Sequence, residues 1–284
     1  MKKILAIILA VAMLAMVFTA CSTTPAAQES ASEGAAEGAA EGAATEEAAT
    51  TGTNTLDKIK ESGELVLLTN AAFPPYEYLG SDNKPAGVDI EMAQAIADEL
   101  GVTLKVVDMD FDGLIPALNG GKGDLVAAGL TVTDERKQSV DFSDTYADAT
   151  QLIIVSKADP KVAGVDDLAG KTIGVQLGTT GDIYVSDVDS ATVKQYKTGL
   201  EAAMDLANGK LDAVMLDQLP AQNIVASNDK LALIDEPFTE EQYAIAVKKG
   251  DTDFLEVINK VIADLTAKGT VAEWTTKHAE AAAV

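Results

Sequence analysis

From about residue 55 the chain alternates between two hydrophobic periods. Leu56-Asp-Lys-Ile-Lys60 reads as a short helix and Glu64 to Thr69 as a strand, after which Pro74 and Pro75 end any regular element. Beyond the turn Ser81-Asp-Asn-Lys84, the residues Ile90, Ala93, Ile96, Ala97 and Leu100 recur at the helical period, and Gly101 supplies the stop. Val102 to Val107 predicts a second strand, Leu114 to Leu118 a second helix, and the unbroken apolar run Leu125 to Ala128 a buried third strand. Strands separated by helices imply crossovers, hence a mainly parallel sheet flanked by helices, with ligand loops at the carboxyl ends of its strands. Asn70, Phe73, Phe111 and the stretch Ala128 to Thr131 fall on that edge by chain order.

The second half repeats the logic. Gln151 to Val155 and Thr172 to Val175 read as strands, and Gln176-Leu-Gly-Thr-Thr-Gly181 as a flexible turn into a helix whose free N–H groups suit an anion. Thr198-Gly-Leu-Glu201 is a capping box opening a helix through Leu206. The strand Ala213 to Leu216 ends at Asp217, before a helix Gln218 to Ala226. Gly209-Lys-Leu-Asp-Ala-Val214 echoes Gly121-Lys-Gly-Asp-Leu-Val126, which suggests two similar lobes. Gln242 to Val247 is strand-like and can return the chain to the first lobe, and Phe254, Leu255, Ile258, Val261, Ile262 and Leu265 line one face of a long helix after it. Lobe 1 is therefore expected at 55–147 and 246–284 and lobe 2 at 148–245, the two crossings forming a hinge.

Arg136 is the only arginine; every other basic side chain is lysine. A guanidinium meets a carboxylate with two parallel hydrogen bonds, which an ammonium cannot do. Thr133-Asp-Glu reads as a helix opening with Thr133 as N-cap, placing Arg136 one turn inside; small Ala128 and Gly129 let a ligand reach the backbone, and Thr131 adds a hydroxyl. A solvated helix charge is the competing reading of Arg136. Asp217, directly after Val-Met-Leu, is costly to bury unless it meets a cation, or else simply starts the next helix.

Upstream, Lys2-Lys3, the apolar run Ile4 to Phe18 and small Thr19-Ala20 have the parts of a secretory signal, 1–20, shorter than the roughly 20 apolar residues of a spanning helix. The sole cysteine, Cys21, follows at once and resembles the lipidated first residue of a bacterial lipoprotein; an ordinary signal peptide cut before a free thiol is the alternative. Residues 21–54 are rich in Ala, Glu, Gly and Thr, with no leucine or aromatic side chain, and are expected to form a disordered acidic tether.

A formal charge of −24 disfavours nucleic acid as a partner, and one cysteine with one histidine leaves little material for a thiol nucleophile, a zinc site or a histidine triad. No metal or cofactor is expected.

Asn70-Ala-Ala-Phe-Pro-Pro-Tyr-Glu, Gly87-Val-Asp-Ile-Glu, Asp110-Phe-Asp-Gly-Leu-Ile-Pro-Ala-Leu, Ala128-Gly-Leu-Thr-Val-Thr-Asp-Glu-Arg, Val140-Asp-Phe-Ser-Asp and Gly178-Thr-Thr stand in the order found in extracytoplasmic amino-acid-binding proteins of ABC transporters, solute-binding family 3. From about Leu56 to Lys277 the chain resembles that family. The resemblance implies a two-lobed type II binding-protein fold, α/β in each lobe, closing on one free amino acid and working with a membrane permease as a lipid-anchored monomer. Carried onto this chain, Arg136 would clamp the α-carboxylate with Thr131 and the backbone at Thr180. Asp217 would take the α-ammonium with backbone oxygen from Ala128 or Gly129. Phe73 and Phe111 would sandwich the side chain, and Asn70 and Gln176 would read its far end. Asn70 stands where many relatives carry an acid, which favours a polar neutral ligand, although Glu77 keeps a basic one open. Two rivals use the same fold: a dehydratase-like enzyme, with Glu77 as the conceivable acid or base, and a ligand sensor for a separate membrane protein.

Overall fold

A computed structural model describes residues 54–282. The expected signal 1–20, Cys21 and the tether up to residue 53 lie outside the described residues. Asn54, assigned to the tether, instead caps the first helix, its Oδ1 accepting from the Leu56 N–H at 3.1 Å.

Two five-stranded sheets form two lobes. In the first the strand order is Thr103–Asp108, Glu64–Thr69, Leu125–Val126, Ala246–Lys248, Val140–Phe142; in the second it is Thr192–Tyr196, Thr172–Gln176, Ala213–Asp217, Gln151–Ser156, Leu231–Ile234. Three neighbouring strands of each sheet are parallel and the last two join antiparallel. The sheets are thus mixed, because Ala246–Lys248 and Gln151–Ser156 enter directly from the hinge without a crossover helix to reverse them. Apolar side chains cover both faces: Leu68, Leu114, Leu118 and Val140 on one side of the first sheet, and Ile153, Ile173, Val175 and Val185 on one side of the second. A larger core containing Leu65, Leu67, Met92, Ile96, Phe254 and Ile258 lies under the helices Val88–Leu100 and Thr252–Ala267.

The repeated Gly-Lys-x-Asp-x-Val has one job in both lobes. Asp124 Oδ2 accepts from the Val66 N–H at 2.8 Å and Asp212 Oδ2 from the Thr172 N–H at 2.8 Å, so each acid holds the start of the adjacent parallel strand. Gly121 and Gly209 both turn at φ 74°, a conformation that a side chain would strain. Between the lobes, Ala147–Ala149 and Glu241–Tyr243 pair antiparallel as a two-strand hinge.

Three local readings change. Of Leu125 to Ala128, only Leu125–Val126 pairs as strand. The helix expected after Thr133 is a single 3-10 turn, Arg136–Gln138, because the strand Val140–Phe142 begins two residues later; its N-cap is Glu135 rather than Thr133, whose hydroxyl nonetheless accepts from the Arg136 N–H at 3.1 Å. The edge strands Thr192–Tyr196, of mixed polarity, and Leu231–Ile234, an apolar run of only four residues, are additional to the expected elements.

Candidate functional site

The ends of these elements converge on a narrow cleft between the lobes, lined by Asn70, Phe73, Phe111, Gly129, Thr131 and Arg136 from the first and Gln176, Thr179, Thr180 and Asp217 from the second. Its base is the guanidinium of Arg136, which is 9% exposed rather than solvated. Nη1 donates to the Thr131 carbonyl at 2.6 Å and Nη2 to the Gly178 carbonyl at 3.0 Å, so one side chain ties a first-lobe loop to a second-lobe turn. Its Cζ lies 5.5 Å from the centre of the Phe111 ring. Burial pushes the guanidinium pKa down, opposed chiefly by the charges of Glu241 and Asp217.

Asp217 ends the central strand of the second sheet and occupies the N-cap position of the helix Gln218–Ala226 without capping it. Its buried carboxylate accepts from the Tyr243 hydroxyl and pairs with no cation among the described residues. Burial first, and the charge of Glu241 second, raise its pKa to about 7. The cost expected for an acid in this place is therefore present, and a ligand cation would relieve it.

At the opposite end two amides meet across the cleft. Gln176 Nε2 donates to Asn70 Oδ1 at 2.9 Å, and Asn70 Nδ2 to the Met109 carbonyl at 2.8 Å. Gln176 Oε1 is buried with no donor among the described residues. Phe73 packs so closely on Gly129 that a Cβ there would meet its ring at 2.8 Å, so the small residue admits Phe73 rather than simply opening the backbone to ligand. The loop is fixed from behind, where the Gly129 N–H donates to buried Asp89 Oδ2 at 2.8 Å. Burial raises the Asp89 pKa to about 6 against that bond.

Ala128 is not in the cleft lining; it is 1% exposed and packs in the core with Leu68 and Leu114. Glu77 is fully buried beside Asp89, and burial with that charge holds its carboxyl well above the usual range, so it neither faces the cleft as a cation receptor nor reaches it as an acid or base. Residues that the reading of the chain missed are Thr179, whose hydroxyl caps the second-lobe helix, and Glu241. Thr179 had a usable signal, since the residue before the first helical turn is the cap. Cys21 lies outside the described residues.

Residues 65–281 match the model for bacterial extracellular solute-binding proteins, family 3. The chain is 33% identical over 219 residues to the L-cystine-binding protein TcyJ of Escherichia coli, covering 76% of this chain and 82% of that one. It is 36% identical over 214 residues to the L-arginine-binding protein of Pseudomonas aeruginosa, covering 70% and 81% respectively. The arginine-bound form of truncated ArgBP from T. maritima superposes with a TM-score of 0.72 at 45% identity, covering 74% of this chain and 99% of that one.

Proposed function

The chain belongs to the bacterial extracellular solute-binding proteins of family 3, and on that premise we propose that it captures a free basic amino acid, of the arginine type, for an ABC importer. The observation that carries this is the placement of one buried cation, Arg136, and one buried acid, Asp217, on opposite lobes of a single cleft. A zwitterion's carboxylate meets Arg136 and its ammonium meets Asp217, so both pairings exist together only when the lobes are closed, and this differential affinity drives closure. The free N–H groups at the start of the helix Thr180–Ser186 complete the carboxylate site, since the hydroxyls expected to help, Thr131 and Thr180, donate to Glu241 instead. Family 3 proteins bind solutes and are not enzymes, which removes the dehydratase-like reading.

The basic side chain replaces the polar neutral one expected from Asn70. Relatives named for arginine support it. So does the chemistry of the far end: aromatic faces of Phe73 and Phe111 attract a cation, and Gln176 Oε1 supplies a buried acceptor for a guanidinium N–H. No carboxylate is needed there. The proposal also includes an N-terminal leader ending at a lipidated Cys21, which anchors a monomeric receptor to the outer side of the cell membrane; no helix among the described residues is long and apolar enough to cross one.

A thermal-shift panel of the common amino acids tests this. A ligand at a hundred times its Kd stabilises the fold by about 2.7 kcal/mol, a rise in Tm of about 5–10 °C. L-arginine, L-lysine and L-histidine are expected to give the largest shifts. A panel in which glutamine or serine shifts Tm and no basic amino acid does contradicts the substrate class.

A further inference from the structure

Glu241 lies on the hinge strand, buried and outside the cleft lining, yet a single hydroxyl separates it from the cleft on either side. Its Oε2 accepts from Thr131 Oγ1 of the first lobe at 2.7 Å and from Thr180 Oγ1 of the second at 2.9 Å, while Oε1 accepts from Thr239 Oγ1 at 3.0 Å. Thr180 Oγ1 accepts in turn from Gln151 Nε2 at 3.2 Å. Every partner is neutral, so the hydrogen bonds satisfy the carboxylate's oxygens without cancelling its charge.

The buried charges around the cleft therefore do not balance. Among the described residues, Arg136 is the one buried cation at the cleft, while Asp217 and Glu241 are buried acids beside it and Asp89, Glu77 and Asp182 are buried behind its loops. Asp182, at the start of the second-lobe helix, likewise has only neutral partners, the Gly178 N–H at 3.0 Å and the Gln195 amide at 2.9 Å, and adds to the surplus, whereas Asp110 is paired with Lys197 at 2.9 Å on the surface. A neutral zwitterion adds equal charges and leaves the surplus negative charge in place; a ligand with one extra positive charge reduces it. In a site walled off from water such a field acts over several ångströms. Asp217 already registers it, since Glu241 is the leading charge that raises its pKa.

We infer that Glu241 is a specificity-determining residue that favours a ligand of net positive charge, acting through its field from the hinge without touching the ligand. The inference rests on the reading of the cleft as an amino-acid site and deepens it. It differs from side-chain recognition at Asn70 and Gln176, which depends on contact. The hinge position also means that one carboxylate oxygen accepts from a cleft-lining threonine of each lobe at once.

The test is isothermal titration of wild type, Glu241→Gln and Glu241→Asp with L-arginine and with L-citrulline, which keeps the same carboxylate, ammonium and shape but has a neutral side chain. Gln at this position retains an oxygen that accepts from both threonines while removing the charge. The ratio of citrulline to arginine Kd is expected to fall about tenfold in Glu241→Gln, with citrulline bound at least as well as by wild type. Glu241→Asp keeps the charge and must keep the ratio, even if both ligands weaken, so it tests the inference should the Gln variant fail to fold. Equal weakening of both ligands by Gln marks a merely structural role and overturns the inference, as does an unchanged ratio or a ratio that collapses in Asp. Wild type that binds the two ligands equally refutes the charge selection but leaves the amino-acid reading standing; wild type that binds neither refutes both.

Discussion

Replacing Arg136 with lysine keeps the charge and removes the geometry, which makes it the sharpest perturbation of the cleft. Two of the guanidinium's five N–H donors are committed to the Thr131 and Gly178 carbonyls at 2.6 and 3.0 Å, leaving the others for a ligand carboxylate. An ammonium has three donors arranged tetrahedrally. It cannot hold carbonyls in two lobes and also present a parallel pair to a carboxylate. One buried carbonyl left unmade costs about 1–3 kcal/mol, and loss of the second charge-assisted bond to the ligand a comparable amount. The sum, roughly 2–6 kcal/mol, corresponds to a Kd raised about 30- to 10⁴-fold. Titration calorimetry of L-arginine into wild type and Arg136→Lys measures it, with circular dichroism confirming that the variant is folded. A folded variant whose Kd stays within about threefold of wild type refutes the clamp, since the lost bonds alone exceed that margin.

Asp217 supplies a paired prediction of opposite signs. Its folded pKa of about 7 lies above the ordinary carboxylate value, so in the ligand-free chain its contribution to stability is lost as pH rises from about 4 to 7. Ammonium capture needs the ionised form, so arginine affinity is expected to rise about 10²-fold from pH 5 to pH 8, and a flat calorimetric profile would count against the assignment. Asp217→Asn should stabilise the ligand-free chain at neutral pH by on the order of 2–4 kcal/mol, read by chemical denaturation, while abolishing arginine binding; a variant that binds normally contradicts the role. At the other end of the chain, Cys21→Ser is expected to move the protein from the membrane fraction to the soluble one, and recovery of the variant still bound to membranes would show that the cysteine is not the anchor.

The fold was legible wherever apolar periodicity coincided with a local stop signal. The helix Val88–Leu100 ends at Gly101, whose φ of 69° is the left-handed cap expected of it, and Thr198 forms the expected capping box with Glu201. The two copies of Gly-Lys-x-Asp-x-Val pointed to repeated lobes because each aspartate performs the same local task. Edge strands such as Thr192–Tyr196 were not legible, since one exposed face and alternating polarity look like loop. Within the cleft, Asn70, Phe111 and Thr131 were reachable from the rule that loops at the carboxyl ends of parallel strands converge. Ala128 shares that position in the chain, but its side chain turns into the core, and direction at a strand end is set by packing that the chain order does not contain. Glu241 was invisible for a different reason. Its partners Thr131 and Thr180 lie 110 and 61 residues away, and nothing near it in the chain distinguishes it from the neighbouring surface acids.

Removing one ligand charge at a time tests most directly whether opposite lobes hold the two ends of an amino acid. Agmatine is arginine without its carboxylate, and Nα-acetyl-arginine is arginine without its ammonium. The account predicts that calorimetry finds tight binding of L-arginine and at least about a 10²-fold loss for each analogue, the first through Arg136 and the second through Asp217. Binding of either analogue at the strength of arginine would mean that the corresponding buried charge does not hold the ligand.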